Sequence, residues 1–240
     1  MKPIEVYDTS LVSKELFDET VFLPYLMCRS DDGATKENPD IDIKNNYWTH
    51  QLYNYKPASN PNWFEEQGIG GSDHPLYKDV LTFLEAVIPM PPRDKMYSAY
   101  INLLRFGDRP GIHVDCPWYV TDQKTVLIYL NPEWQPEWGG ETIFYNHKMD
   151  ATRIVTPRPG RVVMFDGRIP HTGRPPTPRY ERNRYILTFK YMDLKIRDDL
   201  FDKFESTGNQ EDTPDEYGVV EDLGIEGVNT RIVKDLDLTF

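Results

Sequence analysis

The 240-residue sequence predicts a mainly β fold, a sandwich or barrel with helices on its N-terminal side. After Lys95 the chain consists of short apolar runs rich in β-branched and aromatic residues, separated by turns rich in glycine and proline. The runs are MYSAYINLLRF, TVLIYLN, ETIFYN, RIVTP, RVVMFD and RYILTFKYM. The turns between them include GDRPG, PEWQPEWGG and PRPG. Short strands that alternate with such turns are typical of an all-β core.

The first part of the chain has a mixed pattern. Two segments, SLVSKELFDETVFLPYL and HPLYKDVLTFLEAVI, have apolar residues at helical spacing, and a polar stretch rich in Asn and Pro lies between them. We therefore predict a single domain in three parts. Residues 1–95 form a helical or mixed support region packed on the core, residues 96–197 form the β core, and residues 198–240 form an acidic C-terminal segment.

The charge of the chain is unevenly distributed. The formal net charge is −12, and thirteen acidic residues against three basic ones fall between Asp198 and Phe240. This composition predicts a solvated loop or arm. Residues 151–190, by contrast, contain eight arginines and only two acidic residues. Such a basic patch suits small carboxylates, and it is too local in an acidic chain to favour a nucleic-acid partner.

The sequence shows no targeting signal. No apolar run reaches the roughly 18 residues needed to span a membrane, and the start of the chain lacks the apolar stretch of a secretory signal. We expect a cytoplasmic protein with no membrane partner. Cys28 and Cys116 are too few for a disulfide framework, and we expect Cys116 to be a small packed residue.

The stretch GIHVDCPW offers two metal ligands. His113 and Asp115 are two residues apart, so on an extended chain they project to the same side. Two imidazoles and one carboxylate on one face of iron(II) leave positions open for an organic cosubstrate and dioxygen. His171, which follows an apolar strand in GRVVMFDGRIPHTG, is the best candidate for the third ligand. The remaining histidines are weaker candidates: His147 in a polar turn, and His50 and His74 in the helical half.

Arg184 opens the strand RYILTFKY among apolar residues. A buried guanidinium requires an anionic partner, and no acidic residue neighbours it in the strand. A bound carboxylate would serve, because arginine holds carboxylates with two parallel hydrogen bonds. An ion pair with a core Asp or Glu is the alternative.

The order of the motifs HVD, TVLIYLNPEW, GGETIFY, GRVVMFDGRIPHTG and RYILTFKY, over residues 97–192, resembles the iron(II)/2-oxoglutarate-dependent dioxygenases, and within them the prolyl 4-hydroxylase-like group. The resemblance implies a double-stranded β-helix, or jelly roll, with flanking N-terminal α-helices. It also implies that His113, Asp115 and His171 are the catalytic iron ligands and that Arg184 and Tyr129 bind the distal carboxylate of 2-oxoglutarate. The cofactors implied are iron(II), 2-oxoglutarate and dioxygen, with ascorbate as a stimulant.

Other residues are candidates for the remaining contacts. Asn102, in the strand before His113, is placed to bond the inner carboxylate of the cosubstrate, or else to make a structural hydrogen bond. Leu103 stands where many relatives have a tyrosine that contacts the cosubstrate. Three tryptophans and an arginine lie on loops near the predicted mouth, where they would contact substrate or simply pack and meet solvent: Trp118, Trp134, Trp138 and Arg174.

The sequence thus predicts a hydroxylase that oxidises an unactivated C–H bond of a peptidyl proline, a free amino acid or another small acid, and the arginines near the predicted mouth favour an anionic substrate. Asp115 favours hydroxylation over halogenation, because related halogenases have a small residue there.

One alternative is a nucleic-acid demethylase of the same superfamily, whose terminal strand also has two basic residues six apart, as Arg184 and Lys190 are. A metal-binding jelly roll without catalysis and a zinc hydrolase are further alternatives, and neither needs Arg184. Monomer and homodimer both stay open.

Overall fold

The computed structural model describes residues 4–30, 45–56, 74–116 and 119–207. In these ranges the helices are α1 (Lys14–Val21), α2 (Pro75–Val87) and α3 (Leu194–Thr207). The strands are β1 (Glu5–Asp8), β2 (Leu26–Ser30), β3 (Asn45–Asn54), β4 (Met96–Leu104), β5 (Lys124–Tyr129), β6 (Thr142–Tyr145), β7 (Ala151–Val155), β8 (Arg161–Asp166), β9 (His171–Gly173) and β10 (Arg184–Tyr191).

The strands form two antiparallel sheets. The larger has seven strands in the order β1-β8-β5-β10-β4-β3-β2, and the smaller has three in the order β7-β6-β9. Strands that are neighbours in the large sheet are therefore distant in the sequence, as β10 is from both β4 and β5. This arrangement is the jelly roll that the sequence predicts, and the mainly β fold class is confirmed.

Strand β10 shows how the large sheet separates its two faces. Because side chains alternate along a strand, Tyr185, Leu187, Phe189 and Tyr191 join the main hydrophobic core on one side. Arg184, Ile186, Thr188 and Lys190 face a cavity on the other side. All eight side chains except that of Lys190 are buried, so an apolar-looking strand carries two cations on its inner face.

The N-terminal helices cover the outer face of the large sheet. Helix α1 contributes Phe17 to the core, and α2 contributes five side chains, among them Leu81 and Leu84, which are fully buried. The sequence determines where these helices begin. Ser13 accepts a hydrogen bond from the backbone N–H of Leu16 (3.1 Å) at the start of α1, and α2 begins with a proline in its first turn.

The N-terminal region is more than a pair of helices. Strands β1, β2 and β3 also come from it, and β3 pairs with β4 beside the cavity. The flanking helices are therefore borne out only in part. The acidic segment predicted from residue 198 begins inside α3, whose Leu194, Ile196 and Leu200 pack on a small cluster around Tyr97. Residues 208–240 lie outside the described part of the chain, and the boundaries of the three parts stay predictions.

Candidate active site

The structure brings the three predicted metal ligands together. One ligand atom from each of His113, Asp115 and His171 lies within 4.8 Å of the others. Nε2 of His113 is 3.7 Å from Oδ1 of Asp115, and Nε2 of His171 is 3.8 Å from Oδ2. We call these three residues the metal end of the cavity. Across the described ranges this is the one group of at least three His, Cys, Asp or Glu side chains close enough to hold a metal.

Backbone pairing fixes the two histidines beside each other. The N–H of His113 donates to the carbonyl oxygen of His171 (3.0 Å), and the reverse bond is 2.9 Å. Nδ1 of His113 lies 3.1 Å from the carbonyl oxygen of Gly111, and Nδ1 of His171 lies 2.9 Å from that of Ile169. A carbonyl oxygen only accepts, so Nδ1 is the donor in each of these bonds, and Nε2 is the ring nitrogen that is left to face a metal.

Asp115 is held by three groups. Its backbone N–H donates to the carbonyl oxygen of Gly167 (2.7 Å), which fixes the turn that follows His113. The ammonium of Lys190 donates to Oδ1 (2.7 Å), and the hydroxyl of Thr125 donates to Oδ2. Only 2% of the Asp115 side chain is exposed. The carboxylate is therefore buried, but both of its oxygens are compensated by hydrogen-bond donors.

Burial and charge set the protonation of these groups. Burial lowers the pKa of His171 to about 4, so its imidazole is neutral near pH 7. Burial alone would raise the pKa of Asp115, but Lys190 and the two histidines outweigh it and hold that pKa well below its usual range. For Lys190 burial would lower the pKa, yet Asp115 raises it well above the ordinary value. The site therefore offers the neutral imidazole of His171 and the carboxylate of Asp115, with the imidazole of His113 beside them.

This donor set fits iron(II). Two imidazole nitrogens and a carboxylate oxygen lie within 4.8 Å of one another, and two histidines with one carboxylate are the ligand set that leaves other coordination positions of iron(II) open. Cys116, next in the chain, does not compete. It is buried, and burial together with the charge of Asp115 raises the pKa of its thiol to about 12, as expected for a packed residue.

Arg184 lies buried at the other end of the cavity, with 3% of its surface exposed. Its Nε donates to the carbonyl oxygen of Gly140 (2.7 Å), and Nη2 donates to the hydroxyl of Thr142 (3.2 Å). Among the described residues no carboxylate lies within ion-pair distance of the guanidinium. Burial lowers its pKa, but an arginine stays charged. We call Arg184, Gly140, Thr142 and Gly173 the anchor end of the cavity.

Tyr129 packs against Arg184 but does not line the cavity. The guanidinium lies over its ring, 5.4 Å from the centroid. The hydroxyl groups of Tyr129 and Thr142 are 2.7 Å apart, and the Tyr129 hydroxyl also donates to the carbonyl oxygen of Val155 (3.3 Å). Tyr129 thus sits behind Thr142, and its direct contact with a cosubstrate stays a prediction.

The cavity between the two ends has a volume of about 320 Å³. Two polar atoms in its wall are buried without a hydrogen-bond partner in the described residues, Oδ1 of Asn102 and the hydroxyl of Thr188. A buried polar atom without a partner costs free energy, which a bound ligand or water would recover. The sequence names Asn102 as a candidate contact of the cosubstrate, and that role stays a prediction. Leu103, its neighbour, is buried in the main core instead, because alternate side chains of β4 face opposite ways.

Two of the predicted substrate residues, Trp138 and Arg174, are not among the residues that line the cavity. Trp138 stacks on Tyr180 with ring centroids 4.5 Å apart and is not among the residues lining the cavity. Arg174 is exposed directly after the lining residue Gly173. Trp118 lies outside the described residues. Their contact with substrate stays a prediction.

The remaining histidines lie away from the metal end. His147 is exposed in the turn after β6. His50 is on strand β3, and His74 caps the start of α2.

Several polar side chains of the cavity were not identified from the sequence, among them Thr125, Tyr100 and Lys190. Thr125 could not be identified from the sequence, because it lies near the start of an otherwise apolar strand. Tyr100 lines the cavity from β4, and Lys190 was noted only for its spacing from Arg184. Side chains alternate along a strand, so Tyr100 points to the same face of β4 as Asn102, and Lys190 points to the same face of β10 as Arg184. This alternation is the sequence signal that places both residues on the inner face.

Comparison with known proteins agrees with this geometry. Residues 100–191 match the family model described as the 2OG-Fe(II) oxygenase superfamily, a range that contains all three metal-end residues and Arg184. Over these residues the chain is similar to the iron(II)- and 2-oxoglutarate-dependent dioxygenases, and the His-Asp-His group of the metal end agrees with that similarity. The family implies iron(II), 2-oxoglutarate and dioxygen as cofactors. No curated protein sequence matches the chain.

Solved structures of prolyl hydroxylases are similar to this chain, and the first named here shares its fold. A prolyl hydroxylase from Trichoplax adhaerens, solved with a hypoxia-inducible factor oxygen degradation domain peptide fragment, has a TM-score of 0.51 at 15% identity, covering 81% of this chain and 85% of that one. A Pseudomonas putida prolyl-4-hydroxylase has a TM-score of 0.44 at 14% identity, covering 79% and 92%. The viral collagen prolyl hydroxylase of Paramecium Bursaria Chlorella virus-1, in its 2OG complex, has a TM-score of 0.43 at 16% identity, covering 80% and 97%.

None of the helices in the described ranges is both long enough and apolar enough to cross a membrane.

Proposed function

We propose that this dioxygenase hydroxylates an unactivated C–H bond of a peptidyl proline, a free amino acid or another small acid. Iron(II) and 2-oxoglutarate, when bound, supply the oxidation: 2-oxoglutarate and dioxygen yield succinate and carbon dioxide, and one oxygen atom enters the substrate. His113, Asp115 and His171 would hold the metal, and Arg184 the distal carboxylate of 2-oxoglutarate.

One observation carries this proposal: a buried guanidinium without a carboxylate partner in the described residues faces the same cavity as the His-Asp-His group. A buried charge is costly unless it is paired. Neither a metal-binding module nor a zinc hydrolase needs a buried, unpaired guanidinium beside its metal. A dicarboxylate that spans the cavity pairs Arg184 with one carboxylate and offers the other to the metal end.

The side chains on the inner face of β10 indicate how this ligand would lie in the cavity. Arg184 begins that face and Lys190, bonded to Asp115, ends it. The side chains between them on the same face are Ile186 and Thr188. A ligand that reaches from Arg184 to the metal end would cross both, and the unpartnered hydroxyl of Thr188 would meet its polar part. Asn102 faces it from β4, where it pairs with Ile186.

The surrounding residues prepare the site for the reaction. The carbonyl oxygens of Gly111 and Ile169 orient the imidazoles, and Lys190 and Thr125 orient the carboxylate. The aromatic rings of Phe144 and Phe165 pack against His171, with centroids 6.0 and 4.7 Å from its ring, and exclude water from that side. The protein thus contributes orientation of the reactants and a dry inner wall.

The opposite side of the metal end is open for a substrate. More than half of the His113 side chain is exposed (53%), whereas that of His171 is almost covered (6%). Phe106, Ile112 and Tyr119, on the chain segments that flank His113, are exposed. This apolar surface suits a substrate with an aliphatic portion, such as a prolyl or amino-acid side chain. The exposed Arg174 would add attraction for an anionic group.

The experiment that tests the function is a screen of amino acids and proline-containing peptides with the purified protein, iron(II) and 2-oxoglutarate. We expect one class to stimulate succinate formation in the presence of oxygen and to gain the mass of one oxygen atom. Omission of iron or oxygen should abolish both signals. If the protein formed no succinate under any condition, the proposed function would be wrong.

The contact between Lys190 and Asp115 also keeps nucleic-acid demethylation as a second candidate, because a basic residue six positions after the anchor arginine is a feature of that group. The net charge of −12 opposes it. Release of formaldehyde from an N-methylated oligonucleotide, without oxygen gain in any peptide or amino acid, would favour this candidate. The cytoplasmic location stays a prediction.

A further inference from the structure

We propose that Trp134 and the Gly139–Gly140 turn are the device that positions Arg184, so that its free edge faces the cosubstrate. This inference rests on the proposed function, because it assigns a role in binding the distal carboxylate of 2-oxoglutarate. Trp134 is a positioning residue here, since it is not among the residues that line the cavity.

The hydrogen bonds of Arg184 leave one edge of the guanidinium free. Nε is used by the carbonyl oxygen of Gly140 (2.7 Å), and one N–H of Nη2 is used by Thr142 (3.2 Å). A guanidinium has five N–H groups, so the remaining ones are those of Nη1 and the second of Nη2. These two nitrogens form the pair that grips a carboxylate with parallel bonds. The carbonyl of Gly140 thus determines which edge Arg184 presents.

Residue 140 is a glycine because Trp134 and Arg184 enclose it. A Cβ atom there would lie 2.5 Å from Cζ2 of Trp134 and 3.2 Å from Cδ of Arg184. The backbone of Gly140 also has a φ of +78°, in the left-handed region that side chains disfavour. On the cavity side, a Cβ at Gly173 would lie 3.1 Å from Nη1. The arginine therefore runs between two glycines, with the indole directly behind the first.

The indole is itself fixed from several directions. Nε1 of Trp134 donates to the carbonyl oxygen of Gly139 (2.9 Å), so the ring is tied to the turn that it covers. Its ring lies 4.7 Å from that of Tyr180 and 5.8 Å from that of Trp138, centroid to centroid. The hydroxyl of Tyr180 accepts from the side chain of Asn131 (3.0 Å).

Asn131 connects this aromatic cluster to the strand that carries Arg184. Its Oδ1 accepts from the backbone N–H of Tyr185 (2.9 Å), and its Nδ2 donates to the carbonyl oxygen of Asn183 (2.9 Å). Both neighbours of Arg184 in the chain are therefore held by the residue that holds Tyr180. The position of the indole and the position of the arginine backbone are set by one connected group of contacts.

The test is a double-mutant cycle on 2-oxoglutarate affinity, with Mn(II) in place of iron and calorimetry as the readout. We expect Trp134→Leu to weaken 2-oxoglutarate binding about tenfold, the size of one lost charge-assisted hydrogen bond. In an Arg184→Ala background the same change should have an effect below about twofold, because its target is gone. The affinity for Mn(II) alone should stay within about twofold of the wild type in Trp134→Leu.

Two further variants separate positioning from folding. Trp134→Phe keeps a ring over Gly140 and should recover most of the affinity. Trp48→Phe removes an indole on β3 that packs against Arg105, and it should not change 2-oxoglutarate affinity. Equal losses from Trp134→Leu with and without Arg184 would overturn the inference, as would unchanged affinity in Trp134→Leu. If the wild-type protein with Mn(II) did not bind 2-oxoglutarate at all, the proposed function itself would fail.

Discussion

At the metal end of the cavity, backbone hydrogen bonds place the ligands, and at the anchor end, side-chain packing places the arginine. His113 and His171 face each other because their backbones pair, and the side chain of His113 remains 53% exposed. Arg184 is 3% exposed and is held by the carbonyl of Gly140, the hydroxyl of Thr142 and the ring of Tyr129. The metal end is open on the side of His113, where a substrate could enter and leave. The anchor end is closed around Arg184, where it would enclose one end of the cosubstrate.

This difference indicates that a substitution at one end should not change ligand binding at the other. A change at the metal end should affect metal binding, whereas a change at the anchor end should affect 2-oxoglutarate alone. Three substitutions test that separation, and a fourth, away from both ends, gives the smallest expected effect.

The largest effect is expected for His171→Ala. Loss of one of three metal ligands should reduce succinate formation by more than about 100-fold, beyond the roughly 10- to 100-fold effect of an outer partner. Mn(II) affinity, followed by electron paramagnetic resonance, should fall with it. His147→Ala, at an exposed histidine, serves as the control and should match the wild type. Retention of turnover in His171→Ala would refute the ligand assignment.

Arg184→Ala should act on the cosubstrate only. Loss of charge-assisted bonds to a carboxylate should raise the 2-oxoglutarate concentration needed for half-maximal turnover roughly 10- to 100-fold. Mn(II) affinity should be unchanged, because the guanidinium touches none of the three ligands. The exposed Arg182, two residues earlier, provides Arg182→Ala as the control. A parallel loss of metal affinity in Arg184→Ala would show that the two ends do not act independently.

Thr125→Val should weaken the metal end more moderately. The substitution keeps the shape of the side chain and removes the hydroxyl that donates to Asp115. Mn(II) affinity should decrease about tenfold, the lower range for an outer partner of a metal ligand. Because Gln123 also donates to this hydroxyl (3.2 Å), thermal unfolding should be measured in parallel. A loss of 2-oxoglutarate affinity larger than the loss of Mn(II) affinity would contradict the separation.

Asp8→Asn should have the smallest effect and should touch neither end. Asp8 on β1 pairs with Arg161 on β8 (2.7 Å), and that hydrogen bond lowers the pKa of the carboxyl group. A carboxyl with a depressed folded-state pKa stabilises the fold above its unfolded pKa, and the contribution is lost as the pH falls through the folded value. Since the side chain is 54% exposed, we expect a loss of under about 1 kcal/mol at pH 7 in the free energy of unfolding. The difference between variant and wild type should vanish in acid, and a difference that grew there would exclude this explanation.

The sequence predicts the metal end well because that end depends on local chemistry. His113 and Asp115 are two residues apart on an extended segment, and His171 is the histidine that follows an apolar strand. Arg184 was also predictable, since a cation that opens an apolar strand requires a partner. The mainly β core followed from its alternating strands and turns. The helices α1 and α2 followed from apolar residues at helical spacing.

Other parts of the site depend on contacts between distant segments. Strand β3, predicted as part of a mixed region, borders the cavity only because it pairs with β4. Thr125 and Lys190 meet at Asp115 because β5 and β10 are neighbours in the sheet, with Lys190 directly opposite Thr125. No spacing along the chain signals such a pair, since strand order is decided by how the sheets close.

The sequence by itself determined which residue types are available: the two imidazoles, the carboxylate and the arginine, each within or beside a strand of fixed periodicity. The tertiary structure alone decided what surrounds them. It placed Lys190 and Thr125 on the two oxygens of Asp115, and it packed Trp134 and Trp138 against Tyr180. Periodicity fixes the face to which a side chain points, but only the packing of the loops and sheets fixes its neighbours.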